Sequence, residues 1–191
     1  MPVRFACRLA AGFVTGMMAI QNCVAGPYVG LGASKLSLSS DYSSIDGRSE
    51  IGFTLFGGYE LASTWFAELA ISAATMDTGP TLNIFYPADS AEYSILRLSV
   101  GKRLWPVSER RWTPWLGAGA AYHYVNWDTF YYRLDGTGLS IGAGVDFELA
   151  QSWLVRVQAL RHRFSARDTY GDGPYSSRSS ELSAAVIYAF R

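Results

Sequence analysis

The chain has 191 residues, with 16 Lys and Arg against 16 Asp and Glu, so its formal charge is zero. That balance excludes a global basic field of the kind that draws nucleic acid. Apolar residues make up 49% and aromatics 15% of the chain, yet beyond the N-terminal segment no apolar run reaches the roughly 18 residues a helix needs to cross a bilayer.

Chain order begins with a basic start, Arg4 and Arg8, followed by an apolar run from Leu9 to Ile20. Such a run suits a secretory signal and is too short to span a membrane. Cys23-Val24-Ala25 places small residues three and one before a cut, so residues 1–25 are expected to be a cleaved signal peptide. The alternative, lipidation at Cys23, is disfavoured because Ile20-Gln21-Asn22 lacks the small residues that usually precede a lipidated cysteine. Cys7 and Cys23 both leave with the leader, and loss of Arg4 and Arg8 leaves 14 basic against 16 acidic residues. The mature chain, 26–191, is one domain by length.

Eight strands are predicted, over 27–38, 50–61, 64–76, 92–105, 113–125, 138–149, 152–164 and 180–190. Their connections alternate in length. Ser39 to Ser49 is long, Ala62-Ser63 tight, Asp77 to Ala91 long and Pro106 to Trp112 shorter. Asn126 to Thr137 is long, Ala150-Gln151 tight, and Ser165 to Ser179 long. Short turns at one end and long loops at the other are the asymmetry of outer-membrane barrels. An even strand count puts both termini on the periplasmic side.

Within the strands the apolar residues recur with period two. Leu139, Ile141, Ala143, Val145, Phe147 and Leu149 share one face, opposite Ser140, Gly142, Gly144, Asp146 and Glu148. Trp65, Ala67, Leu69 and Ile71 oppose Glu68 and Ser72; Leu96, Leu98 and Val100 oppose Arg97, Ser99 and Arg103. In the first strand Lys35-Leu36 blurs the alternation and suggests a bulge. A soluble barrel of lipocalin type would also alternate, with the apolar face inward. Three features favour lipid outside: Gly and Ser crowd the polar face, charges are sparse in strands and dense in connections, and the chain ends on alternating aromatics, Tyr188 and Phe190. The fold class predicted is therefore all-β, an eight-stranded antiparallel up-and-down transmembrane β-barrel.

The last strand, Leu182 to Phe190, resembles the terminal strand of bacterial outer-membrane barrels, although Arg191 follows the aromatic that usually ends the chain. Gly26-Pro27-Tyr28-Val29-Gly30-Leu31-Gly32 and Trp153 to Phe164 resemble strands of the opacity/OmpA-like eight-stranded family of Gram-negative bacteria. The resemblance implies residence in the outer membrane and recognition of Tyr188 and Phe190 by the barrel assembly machinery during insertion.

Candidate site residues fall into three groups. Glu60, Glu68, Arg97, Arg103, Asp146, Glu148 and Arg156 are expected to face inward, with Gln158 and the two histidines nearby. Eight strands enclose a space just wide enough for side chains, and unpaired charge there is costly, so a structural plug of salt bridges is favoured over an ion path. Arg161, Arg163 and Arg167 cluster at the start of the last loop, where guanidinium groups can meet lipopolysaccharide phosphates. Lys102 can snorkel near the opposite end, and Trp105, Trp112 and Trp115 are expected in the periplasmic aromatic belt.

His162 and Ser165 distantly resemble the His and Ser of lipid A deacylases, but their spacing of three reverses the face in a regular strand. His123 reads as a lumen hydrogen-bonding residue rather than a base, and two histidines without cysteine make no recognisable metal site. No catalytic residue, cofactor or metal is predicted. The external connections, Asp41 to Ser44, Tyr131 to Arg133 and Tyr170 to Tyr175, carry the Tyr, Ser and Gly of adaptable contact surfaces, which would suit a host or extracellular ligand. The function expected is thus structural or surface-interactive, in contact with membrane lipid and lipopolysaccharide. The alternatives are a narrow passive channel and a lipid A-modifying hydrolase.

Overall fold

The computed structural model describes residues 26–41, 51–62, 64–77, 90–106, 111–127 and 132–190. The proposed leader, residues 1–25, and Tyr42, Ser43, Ser44, Tyr131 and Arg191 lie outside the described residues. Eight strands form a closed barrel: β1 (Pro27–Ser40), β2 (Ile51–Glu60), β3 (Trp65–Asp77), β4 (Ser90–Arg103), β5 (Trp112–Trp127), β6 (Tyr132–Ala150), β7 (Trp153–Asp168) and β8 (Tyr175–Ala189). Each pairs antiparallel with the next, and β1 pairs with β8 from Tyr28↔Ala189 to Ser40↔Ser177, so no edge is left open. The up-and-down transmembrane architecture read from the sequence is the one observed.

The apolar face points outward. Leu31, Leu98, Leu116, Leu139, Ile141, Phe147 and Leu182 are exposed, while Asp146, Glu68 and Arg156 are buried. At the rim with the short turns, Trp65, Trp112, Trp153 and Phe190 are exposed and form an aromatic girdle with Tyr188. Trp105 stacks edge-on against Trp112 at 5.0 Å and donates its Nε1–H to the Trp112 carbonyl. Lys102 places its ammonium 5.3 Å over the Trp65 ring. Trp115 does not join this girdle. Its strand parity turns it into the lumen, where it is 4% exposed.

Polarity inverts part-way up the strands. In β7 the outward set runs Trp153, Val155, Val157, Ala159, then Arg161, Arg163, Ser165, Arg167. The inward set runs Leu154, Arg156, Gln158, Leu160, then His162, Phe164, Ala166. In β1, Lys35 is exposed while Leu36 and Leu38 are buried. The predicted bulge is absent there: β1 keeps register with both neighbours through Lys35. What looked like a broken alternation is the height at which the outside becomes polar and the inside apolar. The register irregularity lies instead between Glu148 and Ala150, beside the tight turn into β7.

The same inversion lengthens the strands. β6 starts at Tyr132 and β7 continues to Asp168, through segments whose polar composition reads as loop. Only 169–174 connects β7 to β8. There Asp168 Oδ1 accepts from the amides of Tyr170 (3.0 Å) and Asp172 (2.8 Å), and Gly171 adopts a φ of 84°, which a side chain would resist.

Trp153 and Tyr188 face each other across β7 and β8, as do Arg163 and Arg178 ten residues further along. Ten residues are about 33 Å of strand, or about 25 Å of height at a tilt of about 40°, which is the height of an outer-membrane apolar band. Val157 lies near the middle of that band and Ser165 above it. Val157→Arg should therefore lower stability by about 2–4 kcal/mol, and Ser165→Arg should change it by less than about 0.5 kcal/mol. Urea unfolding in detergent micelles, followed by heat-modifiable gel migration, measures both.

Candidate functional site

The lumen is filled in two layers. The one nearer the short turns is ionic. Arg156 on β7 is fully buried and donates through Nε to Asp146 Oδ1 (2.6 Å), through Nη2 to Asp146 Oδ2 (3.0 Å) and through Nη1 to Glu68 Oε2 (2.5 Å). Arg103 joins Asp146 (3.2 Å) to Glu60 (2.9 Å). Arg97 donates to Glu68 (2.9 Å), and its Nη1 lies 3.8 Å from Glu181. Ser72 Oγ lies 3.0 Å from both Glu181 and Thr54, and the Tyr28 hydroxyl donates to Glu68 at 3.1 Å. One ribbon thus runs Glu60–Arg103–Asp146–Arg156–Glu68–Arg97–Glu181 across the barrel. Its fully buried members balance, three carboxylates (Glu68, Asp146, Glu181) against three guanidiniums (Arg97, Arg103, Arg156).

Aromatic rings close around Arg156. Its guanidinium carbon lies 5.8 Å from the Tyr28 ring centre, 5.4 Å from Phe56, 5.1 Å from Phe66 and 5.0 Å from Trp115. Cation–π attraction in a desolvated site adds to the hydrogen bonds. Glycines in the facing strand make room. Phe56 pairs with Gly30 and Phe66 with Gly101. A Cβ would meet the ring at 2.3 Å on Gly30 and at 2.2 Å on Gly101. The rings therefore lie flat on bare backbone and leave the axis to the arginine.

The outer layer is mainly apolar, with two buried histidines set into it. Leu36, Leu38, Met76, Tyr93, Ile95, Val125, Trp127, Leu134 and Phe164 pack as one buried cluster. His123 stacks on Phe164 with centroids 3.8 Å apart, meets His162 edge-on at 5.1 Å, and shares a 2.7 Å hydrogen bond with the Tyr93 hydroxyl. The plug of salt bridges expected from the sequence thus occupies only the layer nearer the short turns. Above the inversion the wall is bathed on its outside, and its inside becomes an ordinary core.

Of the residues singled out for the lumen, Glu68, Arg97, Arg103, Asp146 and Arg156 meet in the ribbon. Glu60 reaches it from the rim with its side chain 26% exposed, and Glu148 stands half-buried beside the β6–β7 turn. Glu181 was missed. The predicted strand begins at 180, and the one signal that marks Glu181 is its place in the inward alternation Ser179, Glu181, Ser183. His162 is buried in the lumen and Ser165 is exposed on the opposite face of β7, so they do not form a nucleophile–base pair. Arg161, Arg163 and Arg167 all point outward. Arg167 faces Asp135 across β6, about 35 Å above Trp153 and beyond the apolar band.

Residues 6–190 match the outer membrane protein beta-barrel domain family. The chain belongs to this family. It is an outer-membrane protein. Among solved structures it is similar to Neisserial surface protein A, with a TM-score of 0.67 and 17% identity over 87% of this chain and 99% of that one. It is also similar to OprG of Pseudomonas aeruginosa, with a TM-score of 0.59 and 16% identity over 90% and 99%. A third is Ail of Yersinia pestis, solved with the heparin analogue sucrose octasulfate, with a TM-score of 0.53 and 13% identity over 86% and 99%. No curated protein matches by sequence. Identities this low speak to the fold alone.

The ribbon makes Arg156 the most sensitive residue of the lumen. Arg156→Ala leaves Asp146 and Glu68 buried against fewer cations, and such a break costs about 3–5 kcal/mol. Arg161→Ala, five residues along on the outer face, should cost less than about 1 kcal/mol. Urea midpoints of the refolded variants in micelles discriminate the two.

Proposed function

We propose that this protein is a sealed outer-membrane barrel that works through its outer wall and external end, without conduction and without catalysis. The observation that carries the reading is the double closure of the lumen. A permeating ion would have to break the Arg156–Asp146–Glu68 cluster and then pass the apolar layer of Leu36, Leu38, Tyr93, Trp127 and Phe164. Each layer resists in its own way: buried ion pairs do not part without loss of several kcal/mol, and an apolar constriction excludes water and ions together.

Contact with the assembly machinery during insertion is proposed for the closing strand, where Tyr188 and Phe190 pack at 5.0 Å beside Trp153. Contact with an extracellular ligand is proposed for the external connections, of which 169–174 is a polar turn ending next to Tyr175. The hydrolase alternative has no support in the placement of His162 and Ser165 on opposite faces.

Reconstituted in planar bilayers, the purified chain should give no discrete conductance steps above leak at either polarity. Reproducible steps would return the channel reading. Ser165→Ala should leave the acylation pattern of lipid A unchanged relative to the wild type, measured by mass spectrometry of extracted lipid.

A further inference from the structure

We infer that the outer wall of β7, β8 and β1 is a binding site for a phosphorylated, acylated lipid headgroup of the outer leaflet, of the lipid A class, held by Arg163 and Arg178 with Arg161 and Lys35 below them. The inference extends the surface-acting reading but does not depend on the lumen being sealed.

The first observation is a like-charge pair. Arg163 and Arg178 are direct cross-strand partners, and both are exposed. Directly opposed side chains on one face stand about 5 Å apart, and like charges there are destabilising. Among the described residues neither has an acidic partner. Asp135 lies two outward rows higher on β6, 3.8 Å from Arg133 and opposite Arg167. Asp41 lies one row higher, its amide bonded to the Ser176 carbonyl. A wall that sets two guanidiniums side by side and withholds a carboxylate from both is suited to a divalent or doubly contacted anion. Phosphate fits the planar fork of arginine through two parallel hydrogen bonds.

The second observation is height. The pair stands about 25 Å above the Trp153–Tyr188 girdle, at the outer edge of the apolar band, where the phosphates of an outer-leaflet lipid lie. The third is what surrounds it. Hydroxyls flank the pair on β1: Ser39 faces Arg178, and Ser37 shares a 2.5 Å hydrogen bond with Ser180 in the row below. Arg161 occupies that same lower row, opposite both Ser180 and Ile141. Lys35 stands one row lower again, opposite Leu182. Directly beneath and beside the cations are Leu139 (72% exposed), Ile141 (61%) and Leu182 (56%). Cations over an apolar wall match a molecule with anionic head and acyl tails. A soluble polyanion would gain nothing from the lower half.

The test titrates the purified full chain in detergent micelles with bisphosphorylated lipid A and with the same lipid stripped of phosphate, reading tryptophan fluorescence and the heat-modifiable transition. The wild type should bind the phosphorylated form tighter by about tenfold or more, the worth of one or two charge-assisted hydrogen bonds. Arg163→Ser with Arg178→Ser should lose that preference while its lipid-free transition stays level or rises, because a repulsive pair has gone. Arg163→Lys with Arg178→Lys keeps the charge and should retain only part of the affinity. Arg167→Ser should bind as the wild type does. Equal binding of the two lipids by the wild type, or an undiminished preference in the double serine variant, would overturn the assignment. So would heparin binding through the same two arginines as tightly as lipid A, which would make the patch a site for a soluble sulfated polymer. Should the serine variant not refold, the two-lipid comparison on the wild type and the lysine variant decide alone. Conductance in bilayers is a separate readout, so failure of either proposal leaves the other standing.

Discussion

Arg156 is fully buried on the axis of a protein whose outside is lipid. Its side chain is closed off from solvent, so the hydrogen bonds it needs come from the chain. Asp146, from the neighbouring strand, supplies two acceptors and Glu68, from across the lumen, supplies a third. That demand propagates. Asp146 and Glu68 need more cations than one, which brings in Arg103 and Arg97, and Arg97 in turn stands near Glu181 on β8. The end point is electroneutrality among the buried members, reached by contributions from β3, β4, β6, β7 and β8. Such a network reports on barrel closure, because its members come within reach only when strands distant in sequence are in place.

Geometry imposes the second condition. An eight-stranded barrel has little interior to spare, yet here it holds three buried arginines and four large rings. Gly30 and Gly101 resolve the crowding by letting Phe56 and Phe66 rest on backbone. Glycine normally weakens a strand. Here that weakness is offset by the ring that covers it, and by the cation–π contacts the ring then makes with Arg156. Charge, ring and glycine are one arrangement, and none of the three makes sense in the lumen without the other two.

Period-two alternation made the strand number, the closure and the lipid-facing set legible, because the lower strand halves carry apolar residues outside and set glycine, serine and charge between a few large rings inside. Trp115 could have been placed in the lumen by parity alone, since Leu116 beside it faces lipid; the belt assignment rested on its nearness to Trp105 and Trp112 in sequence. The upper strand halves were harder. Leu134, Ala166 and Ser177 alternate with Arg133, Asp135, Arg167 and Arg178, and polar residues at half the positions look like loop when a membrane strand is sought. The same cause hid Glu181 and the outer apolar layer. Pairing across the lumen was not legible at all, because alternation says which way Arg97 and Glu68 point and nothing of how far apart their strands stand.

The inversion also separates two kinds of surface arginine. Arg167 and Arg133 stand beside Asp135, above the band, where water screens charges and such pairs contribute little. Arg163 and Arg178 stand at the band edge, with leucine and isoleucine below and no carboxylate in their row. In water their repulsion would be mild. Next to a low-dielectric layer it is screened less, and the chain retains two such charges opposite each other where one serine would relieve the strain. A wall built solely for passage through lipid gains nothing from that pair. It gains once an anion of the surrounding leaflet sits between the two guanidiniums, because the repulsion then becomes two attractions to a single phosphate. With the interior committed to neutralising its own charges, the outside of the barrel is where this protein has charge left to offer.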